Sequence, residues 1–92
     1  MHLKLQIVIF AAVAVNNDLQ NIIYFHRKQA KLNRKDLADL AGAGKTAIYD
    51  LEHGKETVKW STIKIVLEAL NIKIIFSSPL MEVYEKTQGE NT

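Results

Sequence analysis

The 92-residue sequence contains no cysteine, which excludes a disulfide scaffold, a thiolate metal site and thiol chemistry. Its three histidines, His2, His26 and His53, stand far apart and lack the spacing of metal ligands. The apolar run of residues 7–15 is nine residues long, less than half of the roughly 20 that a membrane-spanning helix needs. Hydrophobic residues make up 48% and charged residues 24%, close to the averages of globular domains. The sequence therefore predicts one small folded domain without a metal or other cofactor.

The N-terminal segment of residues 1–18 has three interpretations. Apolar and polar residues alternate at its start, which is typical of a strand or apolar arm with one buried face. The segment could also be an extension that arises from an upstream start codon. A basic residue, an apolar stretch and small residues follow one another as in a cleaved signal peptide. We favour the arm, because the residues that follow have the pattern of a cytoplasmic module.

The charge of the chain is unevenly distributed, although the net value is only +2. Residues 19–60 contain eight basic and five acidic residues, whereas residues 1–18 are neutral and residues 61–92 have a net charge of −1. A basic middle between neutral or acidic ends indicates an anionic partner for the central segment. The alternative is a solvated charged face.

Three helices are predicted in this central segment. Apolar residues recur at three- and four-residue spacing from residue 19 to about residue 31. Asn33 is a typical N-cap for a short second helix, and Gly42 is a typical end for it. A third helix over residues 45–53 follows the turn at residues 42–44, with Gly54 after its end. Two short helices joined by a glycine-containing turn predict a helix-turn-helix.

The C-terminal part begins with a predicted fourth helix from about residue 60 to 70. Alternation over residues 72–77 then predicts a β-strand, which Ser78 and Pro79 end. The polar tail of residues 79–92 is expected to be loosely ordered. An apolar strand of this kind would be an exposed edge in a monomer, so we expect it to pair with its symmetry mate.

Residues 42–46 resemble the end of a phosphate-binding loop, G-x-x-x-x-G-K-[ST]. The first glycine of that motif would stand at position 39, which is Asp39, and a helix rather than a strand precedes the loop. A carboxylate there would repel a triphosphate. No nucleophile–base pair or carboxylate dyad stands out elsewhere, so the sequence predicts that the protein is not an enzyme.

Residues 19–77 resemble the Xre/Cro-type helix-turn-helix repressors, and within them most closely the HipB-type antitoxins. The residues that carry the resemblance are Arg27-Lys28, Leu32-Asn33, Leu37-Ala38, Ala41-Gly42, Ile48, Leu51-Glu52, Gly54 and Leu67-x-x-Leu70-Asn71-Ile72. The resemblance implies a mainly α fold, a lambda-repressor-like bundle of four to five helices with a C-terminal β-strand used in dimerisation. The DNA-binding domain, including this strand, covers residues 19–78.

The resemblance also implies roles for individual residues. The outward side of the third helix reads base edges, at Lys45, Thr46, Tyr49 and Asp50. Phosphates are contacted by Arg34, Lys35, Lys55 and Lys59. Arg27 and Glu52 form a structural salt bridge. Three positions stay open: Asp50 either accepts from cytosine or orients Lys45 or a nearby arginine, and Lys28 and Lys31 either approach a phosphate or are solvated.

The resulting hypothesis is a cytoplasmic, nucleoid-associated repressor that binds double-stranded operator DNA as a homodimer. The expected dimer residues are Trp60, Leu70, Ile72, Ile74 and Phe76. By resemblance alone, a HipA-like serine/threonine kinase toxin is the implied partner, and the protein would be the antitoxin and autorepressor of the pair. One alternative is a stand-alone or phage-type repressor without a toxin. Another is a protein-interaction module whose basic face binds an acidic protein. No membrane partner is expected.

Overall fold

The computed structural model describes residues 18–91, and these form five helices joined by short connections. Helix α1 spans residues 18–29, and the other helices are α2 (Arg34–Ala41), α3 (Lys45–Glu52), α4 (Trp60–Ala69) and α5 (Met81–Asn91). The prediction of a mainly helical fold is confirmed. The interpretations of residues 1–17 as an arm, an extension or a signal segment lie outside the described residues.

Helix α2 begins and ends through local hydrogen bonds that its flanking residues provide. Asn33 Oδ1 accepts from the backbone N–H of Asp36 at 2.7 Å, which satisfies one of the amides that the first helical turn leaves without a partner. At the other end Gly42 takes a φ of 73°, a left-handed conformation that glycine adopts without a steric penalty. This glycine turns the chain from α2 into the connection to α3.

Helices α1 and α4 end in the same way, although neither has a glycine at its end. Lys31 and Asn71 take positive φ angles of 60° and 58°. The next amides reach back across the last turn, from Leu32 to the Arg27 carbonyl at 3.2 Å and from Ile72 to the Leu67 carbonyl at 2.9 Å. This hydrogen-bond pattern closes a helix C-terminus. As a result α1 ends two residues earlier than the apolar periodicity predicts.

The hydrophobic core lies between the first four helices. Its buried side chains are Ile23 from α1, Leu37 and Ala38 from α2, Ile48 and Leu51 from α3, and Val66 and Leu67 from α4. The apolar stripes of the sequence converge here, and the packing fixes α2 and α3 against each other. This arrangement leaves the outward side of α3 in solvent.

The chain after α4 differs from the sequence-based expectation. Within residues 18–91 no strand is present, and residues 72–78 belong to no helix. A strand is defined by hydrogen bonds to a neighbouring strand, so the dimerisation strand stays a prediction about two protomers.

Residues 81–91 form α5 instead of a loosely ordered tail. Two local features favour this helix: Glu82 in its first turn, and an ion pair between Glu82 and Lys86 at 3.6 Å. Residues 82–89 are exposed to solvent, so α5 adds little to the core. None of the helices in the described part of the chain has the length and apolarity that crossing a membrane requires.

Candidate nucleic-acid interface

The site is built around a buried ion pair between α1 and α3. Arg27 donates from Nε to Glu52 Oε2 at 2.6 Å and from Nη2 to Glu52 Oε1 at 2.9 Å. A third bond runs from Arg27 Nη1 to the carbonyl of Leu32 at 2.9 Å. The hydrogen bonds to Glu52 raise the pKa of the Arg27 guanidinium, outweighing its burial. The structure thus brings together the two residues that the resemblance assigns to a salt bridge, and it ties them to the end of α1.

Arg34 is a third member of this ion-pair group. Its Nε donates to Glu52 Oε1 at 3.2 Å. Its guanidinium carbon lies 5.1 Å from the centre of the Tyr49 ring, within the range of a cation–π contact. The side chain keeps 32% of its surface exposed, whereas the side chains of Arg27 and Glu52 keep 8% and 1%. Two arginines and one carboxylate leave a net positive charge, and Arg34 carries it at the surface.

The Tyr49 ring also contacts His53. The two rings stack with centroids 3.8 Å apart and planes inclined by 18°. His53 Nδ1 lies 2.7 Å from the Tyr49 carbonyl, and since a carbonyl only accepts, the ring nitrogen donates. Tyr49 therefore contacts both an arginine and a histidine, although half of its surface is exposed.

An open cleft of about 560 Å³ lies beside this group and is called the basic cleft below. Five of its seven lining residues are basic: the cleft is formed by Tyr24, Arg27, Lys28, Asn33, Arg34, Lys35 and Lys45. It brings two predicted phosphate contacts, Arg34 and Lys35, next to one predicted base contact, Lys45. It also includes Lys28, which the sequence left undecided.

Tyr24 is a cleft residue that the sequence analysis missed. Arg27 and Lys28 lie three and four residues beyond it on α1, and their charged groups are 5.5 Å and 6.0 Å from the centre of its ring. Side chains at these spacings are neighbours on a helix surface. The i, i+3, i+4 pattern of an aromatic and two cations is therefore the signal that could have revealed it.

The remaining two phosphate candidates lie outside the basic cleft. Lys55 Nζ is 3.4 Å from Asp50 Oδ2, and Lys59 is exposed at the residue before α4. The Lys55 contact also bears on Asp50, since the sequence suggested Lys45 or an arginine as its partner. Asp50 instead forms an ion pair with Lys55, five residues further along the chain.

On the outward side of α3, Lys45, Thr46 and Tyr49 are exposed, and Asp50 is half-buried.

Lys35 pairs with Asp39 at 3.0 Å, with both side chains well exposed. This hydrogen bond raises the pKa of the Lys35 ammonium group. Lys35 is therefore charged, but its ammonium group already pairs with the Asp39 carboxylate on the same helix.

A second, apolar surface includes four of the five predicted dimer residues. A groove of about 430 Å³, called the apolar groove below, is lined by Asp18, Leu19, Ile22, Trp60, Ile63, Leu67 and residues 72–76. Trp60 is 51% and Phe76 is 68% exposed, and Ile74 is also exposed. Leu70 is half-buried against the core and does not line the groove.

Residues 18–91 contain no cluster of His, Asp or Glu that could hold a metal ion.

Two short helices joined by a tight turn, with the second helix exposed along its outward side, define a helix-turn-helix protein. The chain belongs to the helix-turn-helix family HTH_3, which matches residues 23–76. It is also 36% identical over 64 residues to a protein of Methanothermobacter thermautotrophicus. That relative carries the provisional name of an HTH-type transcriptional regulatory protein. That match covers 70% of this chain but spans only 21% of the relative's length. The family that is shown for this chain is therefore that of the helix-turn-helix domain.

Proposed function

We propose that this protein is a sequence-specific, non-enzymatic transcriptional repressor that binds operator DNA. The basic cleft carries the proposal. Asn33, Arg34 and Lys35 lie at the N-terminus of α2, Lys45 lies at the N-terminus of α3, and all four line the same cleft. The amides of a helix N-terminus and the helix dipole favour an anion, and here the surrounding side chains add positive charge. A DNA phosphate has the chemistry that this cleft fits.

The docking mode follows from the positions of the two helices. In helix-turn-helix proteins the first helix crosses the DNA backbone, and the N-terminal residues of the second contact base edges in the major groove. Arg34 and Lys35 then contact phosphates, while Lys45 donates to guanine and Thr46 packs on a thymine methyl group. Lys55 and Lys59 contact phosphates that flank the groove. Asp50 pairs with Lys55 through Oδ2, and its second carboxylate oxygen is the acceptor for cytosine.

A homodimer is part of the proposal. Its support is the apolar groove, whose exposed side chains include Trp60, Ile74 and Phe76. A symmetric dimer places the two α3 helices about 34–36 Å apart, one turn of DNA. Pairing of residues 72–77 with their symmetry mates would give these residues backbone partners.

The test is selection of bound DNA from a random pool, followed by affinity measurements on the selected site and on the protein's own upstream region. We expect Arg34→Ala to weaken binding to all sequences and to reduce the salt slope by about one unit. Lys45→Ala should weaken binding and relax preference at one base pair, by about 1–3 kcal/mol. Lys86→Ala is the matched control, because it removes one lysine from exposed α5. If the unchanged protein and the three variants bind DNA with equal affinity, the proposed site is wrong. If the protein binds only an acidic protein, DNA is not its partner.

The antitoxin role rests on the resemblance to HipB-type proteins, and the contacts described above do not bear on it. We propose it as the finer function, with a HipA-like kinase as partner and with the complex acting in the cytoplasm on the nucleoid. The test is whether a kinase-like reading frame adjoins the gene and whether its product co-purifies with this protein. A missing neighbour would favour the stand-alone or phage-type repressor.

A further inference from the structure

A single hydrogen bond, to Glu52 Oε1, attaches Arg34 to the fold. Arg27 donates to the same oxygen atom over a shorter distance. Glu52 Oε1 accepts from Arg27 Nη2 at 2.9 Å and from Arg34 Nε at 3.2 Å. Arg27 also donates to the second carboxylate oxygen at 2.6 Å, so it holds Glu52 at both oxygens. Arg34 has a single and longer bond. Because that bond uses Nε, the two terminal nitrogens are left for a bidentate contact to a phosphate.

A single bond through Nε does not fix the plane of a guanidinium group, and the Tyr49 ring supplies the second restraint. The guanidinium carbon lies 5.1 Å from the centre of that ring. The ring is itself stacked on His53 with centroids 3.8 Å apart, and His53 is bonded back to the Tyr49 carbonyl. Turning Tyr49 towards a base would therefore break two ring contacts.

We propose that Tyr49 is a positioning residue for Arg34 rather than a reader of base edges. Glu52, Arg34, Tyr49 and His53 are linked by successive pairwise contacts, in which the ring holds the guanidinium plane ready for a backbone phosphate. The inference rests on the proposed function for its DNA consequence, since it names a role within the same interface. It assigns the outward side of α3 two separate tasks: Lys45 and Thr46 read bases, and Tyr49 orients a phosphate contact.

The DNA test is a double-mutant cycle that combines Arg34→Ala with Tyr49→Leu, and with Tyr49→Phe as the conservative variant. Tyr49→Leu removes the aromatic face but keeps an apolar side chain, and we expect it to weaken binding about two- to fivefold on every sequence. It should have no further effect once Arg34 is alanine. Tyr49→Phe keeps the ring and should bind like the unchanged protein. A base preference altered at one position by Tyr49→Leu, or a loss that persists beside Arg34→Ala, would overturn the proposal.

A second measurement needs no DNA and separates this inference from the proposed function. Nuclear magnetic resonance relaxation of the Arg34 Nε–Hε group reports its mobility in the free protein. We expect a restrained group in the unchanged protein and in Tyr49→Phe, and a mobile one in Tyr49→Leu. If Tyr49→Leu makes the Arg34 group mobile and the unchanged protein binds no DNA, the positioning role of Tyr49 stands and the proposed repressor function is wrong. Restraint that persists in Tyr49→Leu would overturn the positioning role, whatever the DNA result.

Discussion

The basic cleft and the apolar groove share α1 but differ in how completely one protomer forms them. In the cleft, Arg27 and Arg34 bond to Glu52, and Lys35 bonds to Asp39. In the groove, Trp60 and Phe76 keep about half or more of their surface exposed within the described chain. Ionic partners within the protomer hold three of the five basic side chains of the first surface. The second gains its stabilisation only when another apolar surface covers it.

This difference separates the two steps of recognition. A cleft whose side chains are already held loses less conformational entropy when a ligand binds, so it is prepared for a phosphate in advance. An exposed apolar groove contributes nothing until two chains meet, so its contribution depends on protein concentration. The proposed repressor therefore has a preorganised DNA surface on each protomer, and dimerisation sets the distance between two such surfaces.

The largest expected effect comes from breaking the ion-pair group of the cleft with Glu52→Gln. Arg27 would then be buried without a compensating charge, and Arg34 would lose its anchor. Removing one partner of a buried pair costs about 3–5 kcal/mol, so we expect the free energy of unfolding to fall by about 3 kcal/mol in urea titrations. Glu68→Gln, on the exposed side of α4, is the matched control. Similar stability of the two variants would show that Glu52 does not hold the cleft together.

The ion-pair group also shows where sequence reasoning ends. Asn33 and Gly42 predict the ends of α2 because their bonds are local. Arg34 and Glu52 are 18 residues apart, and their contact depends on how α2 packs against α3. Periodicity places Tyr49 on the outward side of α3, but it does not indicate that Arg34 and His53 lie against the ring.

At the C-terminus, the limit of prediction has a different physical cause. The alternation of residues 72–77 indicates which side chains would share one face of a strand. Whether the strand forms depends on a second chain. The polar composition of residues 79–92 suggests loose order, whereas Glu82 and Lys86 favour a helix through their ion pair and through the charge of Glu82 in the first turn. Composition averages over such pairs and therefore misses α5.

A smaller effect is expected from truncating the apolar groove with Trp60→Ala and Phe76→Ala together. Both side chains are exposed in one protomer, so the stability of the monomer should change little. An aromatic anchor at an interface is worth about 2 kcal/mol or more, so the dimer dissociation constant should rise at least about 30-fold. Sedimentation velocity over a concentration series measures this constant. Leu40→Ala is the control, since Leu40 is exposed on α2 away from the groove.

For the groove, the contradicting result is simple to recognise. If the unchanged protein sediments as a monomer at every concentration at which it binds DNA, the homodimer is wrong. If Leu40→Ala dissociates the protein as strongly as the double variant, the interface lies on α2 instead. Either result would remove the contrast between a surface completed by one chain and a surface completed by two.

The smallest expected effect is a gain, from releasing the cleft lysine with Asp39→Asn. Lys35 Nζ lies 3.0 Å from Asp39 Oδ2, and both groups are exposed, so breaking the pair should change the stability little. The freed ammonium group can then turn to a phosphate, and a carboxylate that repels DNA is gone. We expect about two- to threefold tighter binding at low salt, and no gain near 1 M, where charges more than about 3 Å apart are screened. Glu82→Gln is the matched control, because it breaks the same i, i+4 pairing with Lys86 on α5. If both variants bind DNA like the unchanged protein, Lys35 is not a phosphate contact and the cleft acts through Arg34, Lys28 and Lys45.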